Sequence, residues 1–138
     1  MSPLTVTDLS VFNEICKRIM SEPGVRFAGI VNQMGNRIAG GFREDVAPFV
    51  DYTKENMMYL ELVLDLRMRG EFDGELGKVQ YIHSRRDKVN MVSIPLDNLI
   101  VVLATELEVN VQRLVNLAIN EFKTKSDTNL SFDQFNVS

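Results

Sequence analysis

Apolar residues along this chain recur with two different spacings, and the switch from one to the other marks out the elements. Leu9, Phe12, Ile15, Cys16 and Ile19 return every three or four residues, which gathers them on one face of a helix. Thr5 and Asp8 ahead of them form a T-x-x-D capping pattern. Ser21-Glu22-Pro23-Gly24 ends the helix, because proline cannot continue it and glycine suits the turn. Two strands follow, over 25–31 and 37–42. Asn32-Gln33-Met34-Gly35-Asn36 joins them, and its glycine and asparagines tolerate positive φ. Gly40-Gly41 weakens the second strand or marks a bulge, which suits the edge of a sheet. With Pro48 in its first turn and Asp45 as its cap, a long helix is predicted over 49–69, and Gly70 and Gly74 bracket its exit.

Three more strands complete the pattern. Residues 78–84 alternate, with Val79 and Tyr81 on one face. A charged turn, Arg85-Arg86-Asp87-Lys88, leads into a strand over 89–94, which Pro95-Leu96-Asp97 breaks. Leu99 to Ala104 is apolar without interruption, so that strand is covered on both faces and belongs in the middle of the sheet. A last helix over 109–122 turns Val111, Leu114, Val115, Ala118 and Phe122 inward. The order α-β-β-α-β-β-β-α, with short connections, predicts an α+β fold: a five-stranded antiparallel sheet with helices on both faces. The folded domain is expected over 1–123. Residues 124–138 read as a polar, flexible tail in which Phe132 and Phe135 stand out; the tail docks weakly on its own domain or not at all, with a short peptide for a partner surface as the alternative.

The middle helix carries apolar residues almost all the way round. At 100° per residue, Val50, Met57, Leu60, Leu64 and Met68 form one stripe. Tyr52, Met58, Tyr59, Leu62, Val63 and Leu66 cover the opposite and adjoining sides, and only Lys54, Glu61 and Asp65 make a charged sector. The apolar arc is on the order of 250°, whereas a helix lying on one sheet needs roughly 100°. One stripe packs on the sheet and the other needs a second cover, because monomers rarely leave so large an apolar patch open. Each such side chain contributes roughly 1.5–3 kcal/mol when fully buried. The wheel does not decide which stripe faces inward.

Composition narrows the chemistry. The 138 residues, 45% of them hydrophobic, suffice for one core. Cys16 is the only cysteine and His83 the only histidine, which excludes an intrachain disulfide or a Cys/His zinc site. Cys16 reads as a buried inert thiol, and His83 as a surface histidine or a pH-sensitive dimer contact. Glu71, Asp73 and Glu75 read as a solvated loop, with a hard-cation site as the alternative. MSPLTVTDLS lacks the basic start and apolar core of a secretion signal, and no apolar run is long enough to span a membrane. A cytoplasmic protein is expected. No phosphate-binding P-loop, nucleophile elbow or Cys–His pair is present, so neither an enzyme nor a cofactor is expected. Arg67, Arg69, Arg85, Arg86 and Lys88 are expected to gather at one end of the fold, as a candidate surface for phosphates or an acidic partner. A net charge of −4 and the lack of interleaved aromatics argue against nucleic acid.

The first hairpin resembles the roadblock/dynein light chain superfamily, whose sheet is profilin-like. Members tend to read apolar-apolar-Asp-x-x-Gly-x-x-Ile/Val-Ala. The stretch Ile30-Val31-Asn32-Gln33-Met34-Gly35-Asn36-Arg37-Ile38-Ala39 matches, with Asn32 in place of the acid. RFAGIVNQMGNRIAGGF, RMRGEFD and SRRDKV also resemble an uncharacterised family of small archaeal proteins. The superfamily resemblance implies a homodimer, paired through the middle helix and the strand after it. Carried onto this chain, that interface takes in Met57, Met58, Tyr59, Leu60, Leu62, Leu64, Leu66, Val79 and Tyr81. It also implies a non-enzymatic adaptor or regulator, of a small GTPase or another protein. A small-molecule sensor, with its ligand held between helix and sheet, is the alternative.

Overall fold

A computed structural model describes residues 4–129. Its elements are α1 (Val6–Met20), β1 (Val25–Asn32), β2 (Arg37–Phe42), α2 (Tyr52–Gly70), the short turn α3 (Asp73–Leu76), β3 (Ile82–Arg85), β4 (Asn90–Leu96), β5 (Leu99–Thr105) and α4 (Val111–Asn129). The five strands form one antiparallel sheet in the order β2-β1-β5-β4-β3. As the apolar run from Leu99 implied, β5 is central and buried at every position. β2, with its two glycines, lies on an edge.

The capping pattern at the start of α1 closes as a reciprocal pair. The Thr5 hydroxyl accepts from the Asp8 amide at 3.1 Å, and the Asp8 carboxylate accepts from the Thr5 amide at 2.9 Å. The inward side chains of α1 and α4 then pack on one sheet face, around Phe12, Ile15, Ile30, Val101, Leu103 and Leu114. On the other face α2 lays Tyr59 and Val63 against Phe27, Val31, Ile100 and Val102. Alternation along β1, β4 and β5 supplies both clusters from the same strands.

The boundaries that depart furthest from the sequence reading belong to four elements. The N-cap of α2 is Asp51, whose carboxylate accepts from the Lys54 amide at 2.8 Å, and the helix starts at Tyr52. Asp45 pairs instead with Arg43 at 2.6 Å, so neither it nor Pro48 initiates the helix. β3 begins only at Ile82, which leaves Val79 and Tyr81 outside any strand. Pro95 does not break β4, which continues to Leu96. A proline is tolerated where a strand has no neighbour to receive its missing N–H, and β3 pairs no further along β4 than Ser93. α4 starts at Val111 because the Asn110 side chain caps it, accepting from the Arg113 amide at 3.0 Å. It runs on to Asn129, since no glycine or proline interrupts Lys123–Asn129, so 124–129 are helical where a tail was expected. Phe132 and Phe135 lie outside the described residues.

Candidate protein-interaction site

The structure settles which side of α2 meets the sheet. Tyr59 and Val63 are buried there, and Leu62 and Leu66 are half-buried beside them. Burial and the negative charge of nearby Glu55 push the Tyr59 hydroxyl above its usual range. The opposite stripe is open: Met57, Leu60, Leu64 and Met68 are 62%, 50%, 58% and 70% exposed. Leu60 lies across Gly35 in the β1–β2 turn, a residue held at φ +82°. A Cβ there would sit 2.7 Å from Leu60 Cδ2, so the glycine lets the helix come close. Met34, 75% exposed in the same turn, lies next to Gly35 and so beside the stripe.

α2 covers only part of its sheet face. Between it and the β3–β4 hairpin runs a cleft of about 940 Å³. Met58, Glu61, Leu62 and Asp65 of α2 form one wall, and Arg85, Arg86, Asp87 and Lys88 stand on the other side. Ile82, Val89, Met91, Ser93 and Val102 contribute to its lining from the sheet. β3 ends the sheet beside this cleft, so its outer edge has no neighbouring strand. The space between α2 and the sheet itself is occupied by the packed side chains of the Tyr59 cluster.

The expected interface residues are not all on the open surface of α2. Tyr59 is buried in the fold's own core, and Leu66 packs on it. Tyr81 is turned to the other sheet face, where it packs against the α1–α4 cluster and donates its hydroxyl to Gln112 Oε1 at 2.7 Å. Val79 is half-buried in an irregular segment. Met57, Leu60 and Leu64 stay on the open stripe, and Met58 and Leu62 border the cleft.

The basic residues do not form the single cluster expected of them. Arg67 donates to the Gln33 carbonyl at 3.2 Å in the β1–β2 turn. Arg85 reaches the Leu107 carbonyl at 3.4 Å, and the register from Asn90 through Thr105 to Val25 puts that hairpin at the opposite end of the strands. The two groups are separated by most of the length of β1, seven steps or about 23 Å. Antiparallel strands place consecutive turns at opposite ends, and α2 spans the distance between them. Arg69 meanwhile pairs with Asp65 on its own helix at 3.1 Å. What does gather at the β3–β4 end is Arg26, with its guanidinium 4.3 Å from the centre of the Phe49 ring, and Lys88, 5.9 Å from the same ring. Phe49, assigned to the helix from its sequence, actually lies before it.

Two polar groups are structural. Asn90 is buried, and its amide donates towards Thr105 Oγ1 and the Glu106 and Leu107 carbonyls while its oxygen faces His83 Nε2 at 2.9 Å. The Cys16 thiol is pushed up to about 12 by burial, against the opposing pull of Arg37, which makes it a poor nucleophile. Among the described residues no three His, Cys, Asp or Glu side chains are grouped to hold a metal ion. No helix among them is long and apolar enough to cross a membrane.

A central β5, with α1 and α4 on one face and α2 over part of the other, is the fold of roadblock/LC7 domains, whose sheet is profilin-like. The chain belongs to the family of unknown function DUF6659, which matches residues 5–132. No curated protein matches the sequence. Among solved structures, the gliding protein MglB of Thermus thermophilus superposes with a TM-score of 0.70 at 11% identity, covering 97% of this chain and 96% of that one. An MglB described with a tetrameric arrangement gives 0.70 at 11%, covering 97% and 95%. A roadblock/LC7 domain from Streptomyces avermitilis gives 0.65 at 9%, covering 84% and 95%. At such identities these likenesses establish the fold.

Proposed function

We propose that this protein is a cytoplasmic, non-enzymatic homodimer that serves as an adaptor for, or regulator of, a small GTPase. The observation that carries the reading is the exposed stripe Met57, Leu60, Leu64 and Met68, on a helix whose other side is already buried. An apolar surface of this kind marks a protein-binding face. The open edge of β3 and the half-covered sheet beside it give a second copy a place to extend the sheet and set its own α2 alongside the first. Met34, Leu60 and Leu64, on the flank of α2 away from the cleft, then remain as a platform for a further protein. Supporting the reading are the roadblock resemblance, whose members pair and commonly serve small GTPases, and the tetrameric arrangement described for one MglB.

Sedimentation of the full chain at micromolar concentration tests the pairing, and a monomer there refutes it. Affinity capture from extract with wild type and with Leu64→Glu tests the platform. Leu64 is exposed, so the substitution leaves the fold intact. The expected result is a GTPase retained by the wild type and lost with Leu64→Glu. Equal capture by both, or no GTPase with either, refutes the regulatory reading.

A further inference from the structure

The two sides of the cleft carry opposite charge. Glu61 and Asp65 line the cleft from the later half of α2, and Arg86 and Lys88 line it from the β3–β4 turn, which lies at the end where α2 starts. Among the described residues no ion pair joins the two sides: Asp65 pairs with Arg69 of its own helix, and the Lys88 ammonium has only the face of Phe49. Acid and base thus line the same cleft without satisfying one another.

The direction of α2 gives this arrangement a use. The helix starts near the β3–β4 turn, where Lys88 approaches the Phe49 ring, and ends at the β1–β2 turn, where Arg67 meets the Gln33 carbonyl. A two-fold axis through the open edge of β3, normal to the sheet, reverses that direction in a second copy. The later half of the second helix, with Glu61 and Asp65, then arrives at the first copy's β3–β4 turn. Symmetry repeats the contact the other way round.

We propose that the cleft is a self-recognition site in which Glu61 and Asp65 of each protomer meet Arg86 and Lys88 of the other. The inference rests on the dimer reading above and specifies what selects a second copy of this chain over any other apolar surface. Charges of one sign placed opposite each other repel, so the same four residues both favour the correct partner and reject others. Salt weakens the pairing, because the cleft is open to solvent and its charges are screened.

A charge exchange tests this. Glu61→Lys/Asp65→Lys sets base against base in its own homodimer, and Arg86→Glu/Lys88→Glu sets acid against acid. Mixed together, the two variants restore opposite charges at both symmetric contacts. Sedimentation equilibrium of the full chains, with native mass spectrometry to separate the species by mass, reads the outcome. Each variant alone is expected to dimerise at least tenfold more weakly than wild type, and the equimolar mixture to form the heterodimer. Wild-type affinity is expected to fall between 50 and 500 mM NaCl. Recovery in the mixture also rules out misfolding as the cause of the single-variant losses. If both variants dimerise like wild type, or the mixture fails to recover, the charge pairing is wrong while the dimer stands. A monomeric wild type removes the dimer reading itself.

Discussion

Glu55 is buried in the first turn of α2 and has one charged neighbour, Arg37 of β2, whose Nε lies 3.4 Å from Glu55 Oε1. The contact is long, and Oε1 accepts no well-formed hydrogen bond. Arg37 is anchored separately, donating to the Gly40 carbonyl at 3.1 Å with its guanidinium 5.6 Å from the centre of the Phe27 ring. Replacing Arg37 with Met therefore leaves a buried carboxylate with no cation to balance it and only the Tyr59 hydroxyl beside it. Breaking a buried pair in this way costs about 3–5 kcal/mol. Here the Arg37 side chain is 28% exposed, so water offsets part of the loss and about 2–3 kcal/mol is expected. Glu55→Gln costs less, about 1 kcal/mol, because the guanidinium left behind keeps Gly40, Phe27 and solvent. The double variant Arg37→Met/Glu55→Gln leaves a neutral amide where Arg37→Met alone strands a carboxylate, and recovers most of the loss, with a coupling of about 2 kcal/mol. Urea denaturation of all four proteins at one fixed concentration measures this. Additivity within about 0.5 kcal/mol, or a costlier Glu55→Gln than Arg37→Met, refutes the argument.

Two further predictions concern the other sheet face and the hairpin. Gly40 has φ +81°, and a Cβ there would run into the Ala28 carbonyl, so Gly40→Ala is expected to cost about 3 kcal/mol or more. Gly35→Ala overlaps the movable end of Leu60 and only crowds its backbone nitrogen at 3.3 Å, and is expected to cost about 1–2 kcal/mol; equal losses in denaturation would contradict this difference. Burial raises the Cys16 thiol from near 9.0 to about 12, so the folded state keeps its proton where the unfolded chain has lost it. The stability this gives is fully present below pH 9 and is lost as the pH rises towards 12, about 1.4 kcal/mol of it by pH 10. Cys16→Ala removes that part of the alkaline slope, and an unchanged slope between pH 8 and 11 would refute the assignment.

Periodicity made the architecture legible. The capping box of α1, the β1–β2 hairpin and the central position of β5 each follow from a local pattern that packing does not override. Boundaries were less legible wherever two residues competed for one role. Asp45 and Asp51 both suit a cap, and Arg43 claims the first. The wheel of α2 found the excess of apolar surface but not its orientation, because both stripes are equally greasy. What decides is that the Tyr59–Val63 side matches the inward residues of β1 and β5, a long-range fit no local pattern encodes. The supposed cluster of Arg67, Arg69, Arg85, Arg86 and Lys88 failed for a similar reason. Closeness along the chain says nothing about which end of an antiparallel sheet a turn occupies.

The brevity of β3 has a consequence of its own. Exposed sheet edges invite indiscriminate strand addition, the route to fibrils and to swapped domains. Four residues, of which His83, Ser84 and Arg85 are solvent-facing, offer a foreign strand only a few backbone hydrogen bonds and no greasy surface to hold it. An edge this short and polar holds a strand only where flanking side chains add to the pairing, so a chain whose edge is unpaired does not become a seed for aggregation.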